Sequence, residues 1–444
     1  MKNVKAIAVS LVLIGCLCPS GLKAQEETRP DSVAEKPNEF DISAQLLTRG
    51  EYRKGGLHTE EDKHGDMAAF VLERMRLTMG YKRKFLEMRI TGQHSGVWGQ
   101  TNKGSFNIYE AWGSLTAKNG LFAKVGRQVL SYDDERIMGS NDWTMAALSH
   151  DVVKAGYEGH GHKAHAIVAF NQNAENTYGG TYYVGGAQSY KTMQVLWYHY
   201  DVPRIPLGIS ATFMNIGMQH GDSKEDYDTK YQQLTGGYIV YQPRRLKAEA
   251  SFYYQSGKNE NAIPIEAWML SLRATYQLTP QWKIYAGYDY LTGDENFTVP
   301  QQGTIGLIRH TKMKGFSPLY GSHHQFYGAM DFFYVSAYIH GFSPGLQNLY
   351  GGATWSPRKN LNFSAAYHYM GTTADIREHN KVLGHEMELN ASWNIIKDVN
   401  LSLGYSLMRG SETMLALKRT DSDRLLQWAW LSLNFSPRIF STRW

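Results

Sequence analysis

From Phe40 onward, apolar and polar residues alternate through segments of roughly 10–14 residues, the period-two pattern of strands with two unlike faces. Val71, Met75, Leu77, Met79 and Tyr81 share one parity, with Arg74, Arg76, Thr78 and Gly80 on the other. Leu86, Met88 and Ile90 oppose Glu87, Arg89 and Thr91. Leu246 to Tyr254 and Val399 to Leu407 repeat the pattern; in the latter, Leu401, Leu403 and Tyr405 oppose Asn400, Ser402 and Gly404. The alternation predicts strands at 40–53, 68–82, 85–97, 105–117, 120–130, 148–158, 162–172, 190–201, 206–218, 230–242, 245–256, 264–277, 281–292, 345–356, 360–370, 383–395, 398–409 and 425–436. The segment 323–341, which holds Phe332-Phe-Tyr-Val-Ser-Ala-Tyr338, is read as ordered structure within a loop of 293–344.

The polar parity carries Arg, Lys and Glu beside Gly and Ser, as a wet lumen would, and aromatic residues gather toward strand ends. Short turns such as Lys118-Asn-Gly120, Gln242-Pro-Arg-Arg245 and Ile396-Lys-Asp398 take turns with long segments such as 131–147, 173–189 and 293–344. That rhythm predicts an all-β fold: a transmembrane antiparallel β-barrel of 18 strands with short periplasmic turns and longer extracellular loops. The even count leaves both termini on the periplasmic side.

Composition agrees. The 444 residues are 42% hydrophobic, 13% aromatic and 20% charged, which excludes a mostly disordered chain. A mean hydropathy of −0.44 excludes a bundle of membrane-spanning helices. The one sustained apolar run, Ala6 to Cys18, follows Lys2 and Lys5 and precedes Ala24. It reads as a signal peptide over residues 1–24, with lipoprotein-type processing at Cys16 as the alternative. Residues 25–39 read as a flexible periplasmic segment, and 40–444 as the barrel. Both cysteines, Cys16 and Cys18, leave with the signal, so no disulfide framework is expected. Loss of Lys2, Lys5 and Lys23 lowers the formal net charge from +5 to +2, too little for a nucleic-acid partner. Expected partners are outer-membrane lipid and lipopolysaccharide, an anionic or polar saccharide, and barrel-insertion machinery. That machinery would read Phe435, Phe440 or Trp444.

Residues 105–158 carry the most specific text: Tyr109-Glu110-Ala111-Trp112, Val125-Gly126-Arg127-Gln128, Asp133-Asp134-Glu135-Arg136, Asn141-Asp142-Trp143 and Asp151. This succession resembles the alginate export family of outer-membrane channels. The resemblance implies an 18-stranded barrel with a narrow, Arg-rich lumen that passes anionic polysaccharide. The chain departs from the family at Asp133-Asp134-Glu135, where a Gly-Asp pair is common, and at Ala146-Ala147-Leu148, where a second Arg is common.

Arg74, Arg76, Arg89, Glu110, Arg127 and Arg136 are thus candidates to line the lumen and bind solute; Glu386 and Glu388 share that face. Asp142, Trp143 and Asp151 are candidates to lock a loop into the barrel mouth. Lys124 and Arg127 differ in parity, so both face inward only across a bulge. No cofactor is expected. His160-Gly-His162 and His323-His324 lack a spaced third metal ligand, and Ser149-His150-Asp151 alternates faces rather than forming a catalytic relay. The reading is a channel and not an enzyme. A plugged, adhesin-like barrel is the main alternative, and a barrel hydrolase a weaker one.

Overall fold

The computed structural model describes residues 38–54, 67–100, 103–175, 177, 183–184, 189–221, 223, 227–294, 311–333, 343–418 and 425–444. The proposed signal peptide and residues 25–37 lie outside them. The strands are β1 (Glu39–Lys54), β2 (Ala68–Arg83), β3 (Leu86–Val97), β4 (Ser105–Thr116), β5 (Leu121–Gln128), β6 (His150–Gly159), β7 (His162–Phe170), β8 (Thr192–Asp201), β9 (Leu207–His220), β10 (Asp228–Tyr241), β11 (Leu246–Lys258), β12 (Pro264–Gln277), β13 (Trp282–Leu291), β14 (Leu346–Arg358), β15 (Leu361–Gly371), β16 (Val382–Ile396), β17 (Val399–Gly410), β18 (Leu425–Phe435) and β19 (Arg438–Arg443).

Each strand pairs antiparallel with its sequence neighbours, and β1 closes the sheet by pairing with β2 on one side and with β18 and β19 on the other. β18 and β19 lie end to end along β1 and form one strand interrupted at Pro437, which has no N–H to donate. The barrel therefore has 18 strands, with ends within two residues of those predicted except at the last, which continues through β19 to Arg443 instead of stopping at 436. Closure leaves no free sheet edge. The first and last described residues, Asn38 and Trp444, exchange backbone hydrogen bonds at the short-turn end. Residues 323–333 contain no strand, only a 3-10 turn at His323–Gln325; 334–342 lie outside the described residues.

The outward parity is apolar. Leu272, Ile239, Leu389, Leu403 and Leu431 are exposed at mid-height. Aromatic residues flank them at both ends: Trp282, Trp355 and Phe363 stack near the short turns, and Phe252, Trp268 and Tyr290 near the long loops. Phe435, Phe440 and Trp444 are all exposed.

The inward parity departs from a uniformly wet lumen. Toward the long-loop end, Met193, Met214, Ile216, Leu234, Met269, Met370, Met408 and Leu426 face inward and are fully buried. They pack against Ile137 and Met138 from one loop and Phe316, Tyr327 and Phe333 from another. Among the described residues these two connections fold into the outer half of the barrel, and Ile376 from the β15–β16 connection and Met414 and Leu417 from the β17–β18 connection join the same core. The first two connections meet at a backbone bridge between Met138 and Tyr320. Without these loops, the inward methionines would line water at a cost proportional to their apolar area.

Candidate functional site

The buried half of the lumen is locked by ion pairs. Arg136, 1% exposed, bonds Asp134 and Asp289 at 2.9 Å each and lies 4.1 Å from the ring centroid of Phe326. Asp289 stands on β13 and also accepts from Ser271 Oγ and Asn348 Nδ2. Burial opposes the Arg136 charge most, but the Asp289 and Asp134 carboxylates with the Tyr327 and Tyr350 hydroxyls together outweigh it and hold its pKa well above the usual guanidinium value. The backbone N–H groups of Ala329 and Met330 donate to Glu388 and Glu386 on β16.

Arg74 and Arg76 project inward from β2, and both reach Asp142. Arg76 Nη1 lies 2.8 Å from Asp142 Oδ1, and Arg74 Nη1 donates to the carbonyls of Asp142 and Thr144. Arg74 is 1% exposed and pins the loop. Trp143, one residue on, stacks on His324 at 4.2 Å with planes 5° apart. Arg49 covers its indole at 4.0 Å. Glu51 holds Arg49, Arg53 and Trp428 Nε1 together. The 141–147 loop, the 311–333 segment and the β1 wall are therefore one aromatic and ionic assembly.

The other candidates separate. Arg89 and Glu110 face the lumen but are only loosely paired, at 3.8 Å. Arg127 faces outward, not into the lumen as the sequence reading had it. No register shift interrupts β5 between Lys124 and Arg127, so only one can point inward, and Lys124 does. Asp151 is its register partner on β6, outward as well, and the two form a bidentate pair at 2.8 and 2.7 Å. This pair braces two strands near the outer rim and does not lock the 131–147 loop.

A bulge in β4 turns both Tyr109 and Glu110 inward, so Tyr109 stacks beneath Arg76 at 3.9 Å. Trp112 lies opposite Gly126, whose φ of +118° and close approach to the Ala111 carbonyl leave no room for a Cβ. His150 faces inward to Tyr190 while Asp151 faces outward, so the two diverge. Among the described residues, no three metal-ligating side chains gather.

Toward the short turns the lumen has two unlike walls. On β3, β5 and β6 stand Arg89, Lys124 and Lys154. Across β14 to β18 the inward positions are Thr354, Ser356, Asn362, Ser364, Asn390, Ser392, Asn400, Ser402, Ser432 and Asn434, hydroxyls and amides without a charge. The side chains of Arg89 and Asp142 are 45% and 47% exposed, so water reaches this flank. The sequence reading missed Arg49, Glu51 and Arg53, although their period-two spacing marked one face. It left Lys124 unresolved and missed Lys154, because only strand register brings them together.

The family described as alginate export matches residues 48–425. Among solved structures, the chain is similar to Pseudomonas aeruginosa OccK2 (OpdF) in complex with glucuronate, at 12% identity and a TM-score of 0.60 over 90% of this chain and 98% of that one. OccK9 (OpdG) of the same organism is similar at 11% identity, with the same TM-score and coverage. The outer membrane protein opdK of P. aeruginosa is similar at 8% identity and 0.59, over 90% of this chain and 99% of that one. At these identities the likeness is one of fold. Comparison with curated proteins finds no match.

Proposed function

The chain belongs to the alginate export family of outer-membrane channels, and on that premise we propose that its solute is an anionic or polar saccharide. The outer membrane is its location, and the inner ends of its strands face the periplasm. The observation that carries the solute reading is the one-sided lumen: cations on β3, β5 and β6 attract a charged group, while the hydroxyl and amide wall exchanges hydrogen bonds with sugar hydroxyls. OccK2, which has the same fold, is in complex with glucuronate, a carboxylated sugar. The chain acts by passage, not catalysis, and the proposed signal peptide, cleaved after Ala24, delivers it to the insertion machinery.

A second reading, a barrel held shut by its loops, is favoured by the apolar core inside the outer half and by the buried Arg136 cluster. Recording in planar bilayers separates the two. A channel for anions gives discrete conductance steps and an anion-selective reversal potential at low salt, and acidic oligosaccharides block it more strongly than neutral ones. A silent membrane containing correctly folded protein would favour the shut barrel.

A further inference from the structure

We propose that Lys124 and Lys154 form a subsite on the periplasmic half of the lumen wall that takes a doubly charged oxyanion, the phosphate or sulfate ester of a saccharide. The proposal rests on the channel reading only for how the ligand arrives.

The two lysines are register partners on β5 and β6. Their neighbours Val125 and Val153 are exposed on the outward face, so both lysines face the lumen. Directly opposed residues have Cβ atoms about 4.5–5.5 Å apart, and like charges in that position destabilise a sheet. The carboxylates of Glu110 and Glu87 near Lys124, and of Glu158 near Lys154, offset part of this through space, but none touches an ammonium. Among the described residues, no hydrogen bond or ion pair reaches either ammonium.

The surrounding acids are engaged elsewhere. Glu110 takes the Trp112 Nε1 proton at 2.9 Å and faces Arg89; Glu158 bonds His165 Nε2 at 3.0 Å; Glu249 holds Lys247 at 2.7 Å. What positions the lysines is aromatic. Lys124 Nζ lies 3.4 Å from the Trp112 ring centroid, and Lys154 Nζ lies 5.8 Å from Phe122 and 6.0 Å from Tyr132. Ring faces orient an ammonium without neutralising it.

Space for a ligand adjoins them. Lys154 lines a cavity of about 510 Å³ with Tyr132, Asp133, Lys163, Trp197 and Lys247, within the size range of small-molecule sites, and the Asp133 carboxylate there is occupied by the Trp197 Nε1 proton at 3.1 Å. Lys163 and Lys247 have acidic partners, at 3.8 and 2.7 Å. The unbalanced charge is therefore the opposed pair. A dianion that bridges the two ammoniums balances them more fully than a single carboxylate does. Ammonium groups are compact point charges with rotatable donors, suited to a tetrahedral oxyanion; planar carboxylates are matched better by the guanidinium fork.

The test is calorimetry on the full-length protein refolded in detergent micelles at low ionic strength, titrated with sodium sulfate and, separately, sodium acetate. Sulfate should bind at least tenfold more tightly than acetate. Lys124→Met and Lys154→Met should each weaken sulfate at least tenfold. Their urea unfolding midpoints should hold or rise, because each variant removes a repulsion. Equal affinity for the two anions would overturn the proposal, as would sulfate binding retained in both variants. A lowered unfolding midpoint in both variants would make the lysines structural and overturn it too. Calorimetry needs no ion flow, so a silent bilayer would count against the channel reading alone.

Discussion

Arg136 is the perturbation that best separates the plug from the barrel. Its side chain is 1% exposed, and Asp289, which it meets at 2.9 Å, is fully buried. Arg136→Met keeps much of the volume against Phe326 but leaves the Asp134 and Asp289 carboxylates without their cation. Removing one partner of a buried pair costs about 3–5 kcal/mol, far more than the pair contributes relative to an apolar replacement. The strands keep their hydrogen-bond ladders, so the cost falls on the docking of the 131–147 and 311–333 loops. It shifts their docked-to-released ratio by roughly two to three and a half orders of magnitude. Single-channel recording should show larger and noisier conductance, and limited chymotrypsin digestion should cut near Phe326, Tyr327 or Phe332. Asp289→Asn added to Arg136→Met removes one orphaned charge and should restore part of the wild-type pattern. Arg127→Met is the control: its pair with Asp151 is 40% and 54% exposed, and exposed pairs are worth about 0–1 kcal/mol. If Arg136→Met records and digests like the wild type, the loops are held by packing alone and the electrostatic argument fails.

Leu403→Arg places a charge on the outward face at mid-strand and should cost about 2–4 kcal/mol of folding into lipid vesicles, whereas Ser402→Arg enters the lumen and should be tolerated; equal losses would refute the face assignment. A protease-sensitive tag inserted within 222–226 should be cleaved on whole cells and one after Pro280 should not, the opposite pattern reversing the orientation. Arg89→Ala should move the reversal potential toward cations at low salt, and the change should shrink in molar salt, where the screening length falls to about 3 Å. A selectivity that ignores Arg89 at low salt would place the filter elsewhere.

The strand map was legible because each strand separates two solvents. Leu401, Leu403 and Tyr405 meet lipid while Asn400, Ser402 and Gly404 meet the lumen, and that contrast is written in the sequence with period two. The inside of the outer half was harder. In β9, Ile209, Phe213, Met214 and Ile216 are apolar on both parities, a sign of a filled interior rather than a wet one. The site was legible only in part. Arg74 and Arg76 showed their inward parity, but the Asp142 they meet lies more than sixty residues away along the chain. The bulge that turns Tyr109 inward is one extra residue, invisible to alternation. Arg127 and Lys124 competed for one parity, and only their partners on β4 and β6 decide which one faces the lumen.

The two halves of the lumen use charge in opposite ways, and burial sets the difference. In the outer half, Arg136 and Arg74 are taken out of water and must each find carboxylates or carbonyls, so they become fasteners. In the periplasmic half, Arg89 stands half-exposed and Lys124 and Lys154 lie against aromatic faces, with no carboxylate in contact with either ammonium. A wall charge acts over a Debye length of about 8 Å at physiological salt, so cations on one wall act on that wall whatever the formal net charge of +5. An anion arriving from the periplasm therefore meets the unbalanced cations before it meets the plug. On the proposed channel reading, electrostatic selection and the loop-filled outer half stand in series: a solute from the periplasm meets the cations first, and one from outside meets the loops first.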